Sequence, residues 1–213
     1  MMELKSKIEE LFAQANKNAR QGDRAGAIAV LTEIIALPEI AQKEPLPMEC
    51  AHWGLAGLLI AERDVKQAEV HLLAAIKLNP QEAGYLQELG ALYNYQARFE
   101  EAAQQFEQSL KLRPGHPETT HLLGWSLFMS GDLKRGQKML EFALELDENN
   151  VGTLNDLAVC LMEQGKIKEA KGFVEKALEL DPDNELLKSF NEMLAGKTGT
   201  GKNKKKGQNK NHI

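Results

Sequence analysis

Residues 196–203 read GKTGTGKN, with Gly196, Gly201 and Lys202 at the spacing of a phosphate-cradling loop. Asn203 stands where a Ser or Thr would reach Mg²⁺. A strand should precede such a loop and a helix follow it, whereas here a helical pattern precedes and a lysine string follows, so the spacing reads as coincidence. His116 and His121 are five residues apart, off one helical face, and no HExxH pattern or cysteine pair accompanies them. No metal site is expected. The two cysteines, Cys50 and Cys160, are too few and too distant for a disulfide framework, which suits a reducing cytoplasm. Cys160 falls on a helix side that faces neighbouring helices and reads as a small core hydrophobe, not as a nucleophile paired with a histidine. Glu100-Glu101 and Asp147-Glu148 read as solvated faces and helix-end charges. These residues predict no catalytic group, no cofactor and no small-molecule substrate, and the chain reads as a non-enzyme.

The elements that would carry any site are helical and repeated. Leu86, Leu89 and Tyr93, then Ala102, Phe106 and Leu110, recur at three- and four-residue spacing and mark two amphipathic helices separated by a short polar break. The same pattern returns with a period of 34 residues in five blocks, 8–41, 49–82, 83–116, 117–150 and 151–184. The breaks read Gly22-Asp23, Arg63-Asp64, Ala97-Arg98, Gly131-Asp132 and Gly165-Lys166, where a glycine can end the first helix in a left-handed conformation. Pro80, Pro114 and Pro182 mark the ends of second helices. Small residues at Ala15, Ala56, Gly90, Gly124 and Ala158 let paired helices approach closely. Gly136 stands where the other blocks carry alanine and predicts a mild local weakening of about 1 kcal/mol. Residues 42–48 form an insert that follows Pro38 and contains Pro45 and Pro47, and they predict a stiff, extended connection. After the last block, Leu186, Leu187, Phe190, Met193 and Leu194 fall on one stripe of a capping helix over 185–196, closed by Gly196.

In the third block, Leu86, Leu89, Gly90, Tyr93, Ala102, Phe106, Ser109 and Pro114 stand in the order of the tetratricopeptide pattern W-x2-L-G-x2-Y, then A-x3-F, A and P. The chain therefore resembles a tetratricopeptide-repeat protein, with a degenerate first repeat (Asn18 for the aromatic, Gln14 for the leucine) acting as a cap. The resemblance implies an all-α fold, a right-handed superhelical solenoid whose first helices line a concave groove. Carried onto this chain, the groove positions include Trp53, Ile60, Gln87, Asn94, His121, Trp125, Phe128, Asn155 and Met162. Apolar and thioether groups interspersed with amides suit a partner peptide or amphipathic helix. Trp53 carries an alternative. The family's tryptophan is commonest one position earlier, where His52 stands, and a one-residue adjustment would bury Trp53 between repeats. The carboxylate clamp by which some relatives hold chaperone C-termini is not reproduced: of its positions here, Phe12, Asn16, Gly54, Gly84 and Glu88, only Asn16 matches.

Charge divides the chain. The 213 residues carry a net −5, 43% are hydrophobic, and no apolar run is long enough to span a bilayer. MMELKSKIEELF shows no secretory h-region, and a soluble, cytoplasmic protein is expected. Residues 197–213 hold six lysines and no acid. Removing this +6 tail from the net −5 leaves −11 on residues 1–196. The tail has almost nothing to bury and is expected to be disordered. The leading expectation is a protein-binding scaffold, adaptor or chaperone. Two alternatives stand beside it: attachment to RNA or an anionic membrane surface through Lys202, Lys204, Lys205, Lys206 and Lys210, and a chaperone of the secretion-system type. The tail could also fold back on the acidic body. Deleting 197–213 and measuring RNA and partner binding at two salt concentrations separates these, and RNA binding that survives the deletion rejects the tail's role.

Overall fold

The computed structural model describes residues 2–37 and 45–200, with side chains over 4–37 and 47–196. The described residues form eleven α-helices and no strand. They fall into two compact units, residues 1–114 and 115–213. The first unit holds α1 (Met2–Arg20), α2 (Arg24–Ala36), α3 (Pro45–Ala61), α4 (Val65–Leu78), α5 (Ala83–Tyr95) and α6 (Phe99–Leu112). The second holds α7 (Pro117–Met129), α8 (Leu133–Leu146), α9 (Val151–Glu163), α10 (Ile167–Leu180) and α11 (Glu185–Thr200). Within each unit successive helices pack on one another, giving an all-α solenoid of helix pairs with a terminal helix, α11, against α10. The helices start where the 34-residue period places them: α5, α7 and α9 at residues 83, 117 and 151, and α6, α8 and α10 at 99, 133 and 167.

One turn is repeated five times, and its chemistry explains its sequence. The second residue after each first helix is left-handed, and the amide beyond it returns to the helix: Asp23, Asp64, Arg98, Asp132 and Lys166 each donate to the carbonyl five residues back at 2.9 Å. This hydrogen bond satisfies a carbonyl that the helix end leaves open. Glycine fills the left-handed position at Gly22, Gly131 and Gly165, but Arg63 (φ 63°) and Ala97 (φ 57°) occupy it without glycine's freedom. Where the next residue is aspartate, its carboxylate also caps the second helix: Asp23 accepts from Gly26, Asp64 from Gln67 and Asp132 from Arg135.

The core lies between the two helices of each pair. Ala68, Leu72 and Ala75 on α4, Ala102, Phe106 and Ser109 on α6, Gly136, Leu140 and Ala143 on α8, and Ala170, Val174 and Ala177 on α10 are all buried. Full burial of Phe106 contributes about 1.5–3 kcal/mol. It needs Gly90: a Cβ there would stand 2.7 Å from Phe106 Cε1. Gly124 and Gly136 bring α7 and α8 closer still, since a Cβ on Gly136 would lie 2.6 Å from Phe128 N and 2.8 Å from Gly124 O. Gly136 is therefore a packing requirement and not the mild defect its helix propensity suggests.

Three sequence expectations are corrected. Residues 45–48 are not extended but form the first turn of α3, because the N–H groups a proline lacks at a helix start would have no intrahelical partner anyway; residues 38–44 lie outside the described residues. Gly196 does not close the last helix, which continues to Thr200. The proposed stripe also splits: Leu187 and Leu194 are buried, whereas Leu186 is 83% exposed and Met193 is also exposed. Leu186 and Leu187 are adjacent, 100° apart on a helix, and only one can face α10. The tail lysines 202–210 lie outside the described residues.

Candidate functional site

In the first unit, α1, α3 and α5 present a shared face cut by three adjoining clefts. The largest, about 520 Å³, is walled by Gly57, Ile60, Ala91, Leu92 and Tyr95, with Arg63 and Glu88 as its charged groups. A second, about 390 Å³, lies against Phe12, Asn16, Ala19, Cys50, Trp53 and Gly57. A third, about 290 Å³, is bounded by Trp53, Glu82, Gly84, Tyr85 and Glu88. Gly57 is common to the first two, and a Cβ built on it meets nothing within 4 Å. Its missing side chain keeps the clefts joined.

Trp53 borders the second and third clefts. It is 45% exposed, which disposes of the alternative that buries it between repeats. Its indole Nε1–H donates to Glu88 Oε1 at 2.8 Å, and its ring lies 6.0 Å from that of Tyr85 at an interplanar angle of 44°. Burial pushes the Glu88 carboxyl up, against the pull of the indole hydrogen bond. Tyr85 is held from below, its hydroxyl donating to Glu49 Oε1 at 2.7 Å. Glu49 is buried and also accepts from Asn79 Nδ2 at 2.9 Å. A carboxylate placed in the interior with two donors is sustainable, and losing a donor would leave it under-satisfied. The chain Asn79, Glu49, Tyr85, Trp53 thus ties the rim of the clefts to the body of α3 and to the α4–α5 turn.

The sequence-predicted residues divide between the two units. Ile60 is exposed on the largest cleft. Gln87 is half-buried and accepts from Arg113 Nη2 at 2.8 Å; Asn94 is half-buried on the same helix. In the second unit, His121 Nε2 and Asp156 Oδ2 lie 2.8 Å apart, joining α7 to α9, and Asn155 Nδ2 donates to Asp156 Oδ1 at 3.3 Å. Trp125 is half-buried and stacked on Phe128, with centroids 5.9 Å apart. Phe128 is buried among Leu140, Leu157 and Cys160, so it supports Trp125 instead of offering a surface of its own. Met162 is half-buried against Ala158, Leu161 and Val174. Burial, and then the Asp156 charge, pushes the Cys160 thiol up to about 12, so it is protonated at neutral pH.

Several groups escaped the sequence reading. Tyr95, 71% exposed, and Glu82 border the clefts without sitting at a position the repeat register marks for the groove, and Glu88, which the register marks only as a mismatch to the carboxylate clamp, borders them too. Glu88 lies four residues before Leu92 and seven before Tyr95 on α5, which places all three on one face. His52 and His71 also meet, Nδ1 to Nδ1 at 2.8 Å, a contact that requires one ring to carry a proton there and the other a lone pair. Burial lowers the pKa of both, and the neighbouring His71 lowers that of His52 further. Among the described residues no group of three or more potential ligands could hold a metal ion, and no helix is long and apolar enough to cross a membrane.

Comparison with known proteins agrees with the repeat register. Tetratricopeptide-repeat family models match residues 88–136 and 127–192. No curated protein matches the chain. Among solved structures, a tetratricopeptide repeat protein from Parabacteroides merdae is 17% identical with a TM-score of 0.81, over 92% of this chain and 75% of its own. MamA from Desulfovibrio magneticus is 18% identical with a TM-score of 0.73, covering 84% of this chain and 97% of that one. YrrB, described as a TPR protein with an unusual peptide-binding site, is 16% identical with a TM-score of 0.73, covering 88% and 97%. At these identities the likeness is one of fold.

Proposed function

Because this chain is a tetratricopeptide-repeat protein, we propose that it works without catalysis, as a scaffold or adaptor that holds a linear segment of another protein against the α1, α3 and α5 face of its first unit. The observation that carries this reading is the set of joined, largely apolar clefts around the exposed Trp53. Exposed tryptophan and tyrosine beside space for a bulky side chain are the groups from which binding hot spots are built. Glu49 and Tyr85 fix the rim in place, so little ordering has to be supplied on binding. The fold neighbour described as having an unusual peptide-binding site supports a peptide as the ligand class. Trp125, half-buried in the second unit, is a candidate for further contact there.

The test fills the space without touching the core. In Gly57→Leu the new side chain enters the clefts, and the helix gains about 0.5–1 kcal/mol in propensity. Peptides selected from a random library on the native chain should bind this variant at least about tenfold more weakly, a loss of about 1.4 kcal/mol, while its melting temperature is maintained or raised. Unchanged affinity in a folded Gly57→Leu protein would refute the site.

A further inference from the structure

Resting on this reading of the first-unit face, we infer that the segment it takes is selected by charge: a basic side chain, Lys or Arg, seated in the cleft of Trp53, Tyr85, Glu82 and Glu88, with a bulky apolar side chain in the neighbouring cleft of Ile60, Ala91 and Tyr95. The smaller cleft has two aromatic walls and two carboxylates. Among the described residues neither carboxylate has a cationic partner: Glu88 accepts from the Trp53 indole through Oε1, and Glu82 accepts from the Gly84 amide through Oε1 at 3.0 Å. Each keeps a second oxygen for a ligand. Glu88 is half-buried with its charge partly desolvated, a condition that an incoming cation relieves. The Trp53 ring, 45% exposed, adds an aromatic surface to the same cation.

The larger cleft complements this arrangement. Its walls are apolar apart from Glu88 and Arg63. Arg63 would meet a second base with a like charge, so the cation is directed to the Trp53 side. Glu88 and Tyr95 are seven residues apart on α5, roughly 10 Å at 1.5 Å per residue. In an extended peptide rising about 3.3 Å per residue, the basic and apolar side chains then stand about three residues apart. The acidic balance of the chain, −5 overall, favours encounter with a basic segment.

The experiment is selection of a random, terminally blocked peptide library on the full chain, followed by anisotropy titration of the selected peptides. Enrichment of Arg or Lys about three positions from Leu, Met or Phe is expected. Replacing the base with citrulline or norleucine should weaken binding about tenfold. Glu88→Gln and Glu82→Gln should each weaken the basic peptide several-fold and leave the citrulline or norleucine peptide unchanged; Glu82→Gln keeps a side-chain oxygen for the Gly84 amide and serves if Glu88→Gln does not fold. Selected peptides without basic enrichment, or a basic peptide that binds both variants as tightly as the native chain, would overturn the inference. If such charge-blind peptides are still excluded by Gly57→Leu, the binding face stands and only its selectivity falls. If no peptide is selected at all, both fall together.

Discussion

Replacing Gly136 with alanine adds a single methyl group at the closest approach of two helices in the second unit. The added carbon would stand 2.6 Å from Phe128 N, 2.8 Å from Phe128 Cα and 2.8 Å from Gly124 O. All three are backbone atoms, so no rotamer change makes room. Relief requires α7 and α8 to separate by several tenths of an ångström, with Leu140 and Phe128 losing contacts they make in the core. Overpacking of this kind costs about 1–3 kcal/mol, occasionally more. Against it stands the gain in helix propensity from glycine to alanine, about 1 kcal/mol. The expected net effect is a destabilisation of up to about 2 kcal/mol, which at about 2–4 °C per kcal/mol for a chain of this length lowers the melting temperature by up to roughly 4–8 °C. Gly172→Ala on α10 is the internal control: its Cβ meets nothing within 4 Å, so the propensity gain acts alone and the melting temperature should rise. Circular dichroism melts of the two variants and the native chain, run side by side, read both signs. An increase in stability for Gly136→Ala comparable to that for Gly172→Ala would refute the packing argument.

The remaining predictions concern the repeated turn and the histidine pair. Ala97→Gly relieves a left-handed alanine whose strain is about 1–2 kcal/mol, and after the entropy that glycine loses on folding the net gain should be about 0.5–1 kcal/mol, visible as a higher urea midpoint; an unchanged or lower midpoint contradicts it. His52 and His71 both have pKa values lowered below the ordinary 6.5 in the folded chain, so the unfolded chain takes up protons first as pH falls. Their contribution to stability is complete above about pH 6.5 and is lost as pH falls from there through the lowered folded values. The melting temperature should therefore drop between pH 7.5 and 5.5, and a His52→Gln, His71→Gln double variant should show a shallower drop; an equal slope would mean that other groups carry the acid sensitivity.

The parts of this protein legible in its sequence are those governed by local and periodic rules. Helix pairs, the left-handed turn and the alanine positions each depend on residues within a few positions of one another, and the repetition averages out local exceptions such as Arg63 and Ala97, which keep the turn without its glycine. The expected alanine at position 136 failed as a guide because propensity describes one helix, whereas the Gly124–Gly136 contact belongs to two. The candidate site shows the same division. The repeat register placed Trp53 and Ile60 on one face, and both line the clefts beside Gly57 and Ala91. Register alone left out Tyr95 and Tyr85, and marked Glu88 only as a mismatch to the carboxylate clamp, because which polar group borders a cleft depends on side-chain direction and on contacts between α3 and α5. Trp53 is the residue on which both kinds of information converge. Its position on α3 follows from the period, but its exposure is fixed by an indole hydrogen bond 35 residues away and by Tyr85, anchored on a buried carboxylate. A tetratricopeptide frame thus supplies a generic face, and a few non-local polar contacts turn one part of it into a shaped and charged pocket. Selectivity in this protein is therefore to be sought in residues that the repeat pattern leaves free to vary.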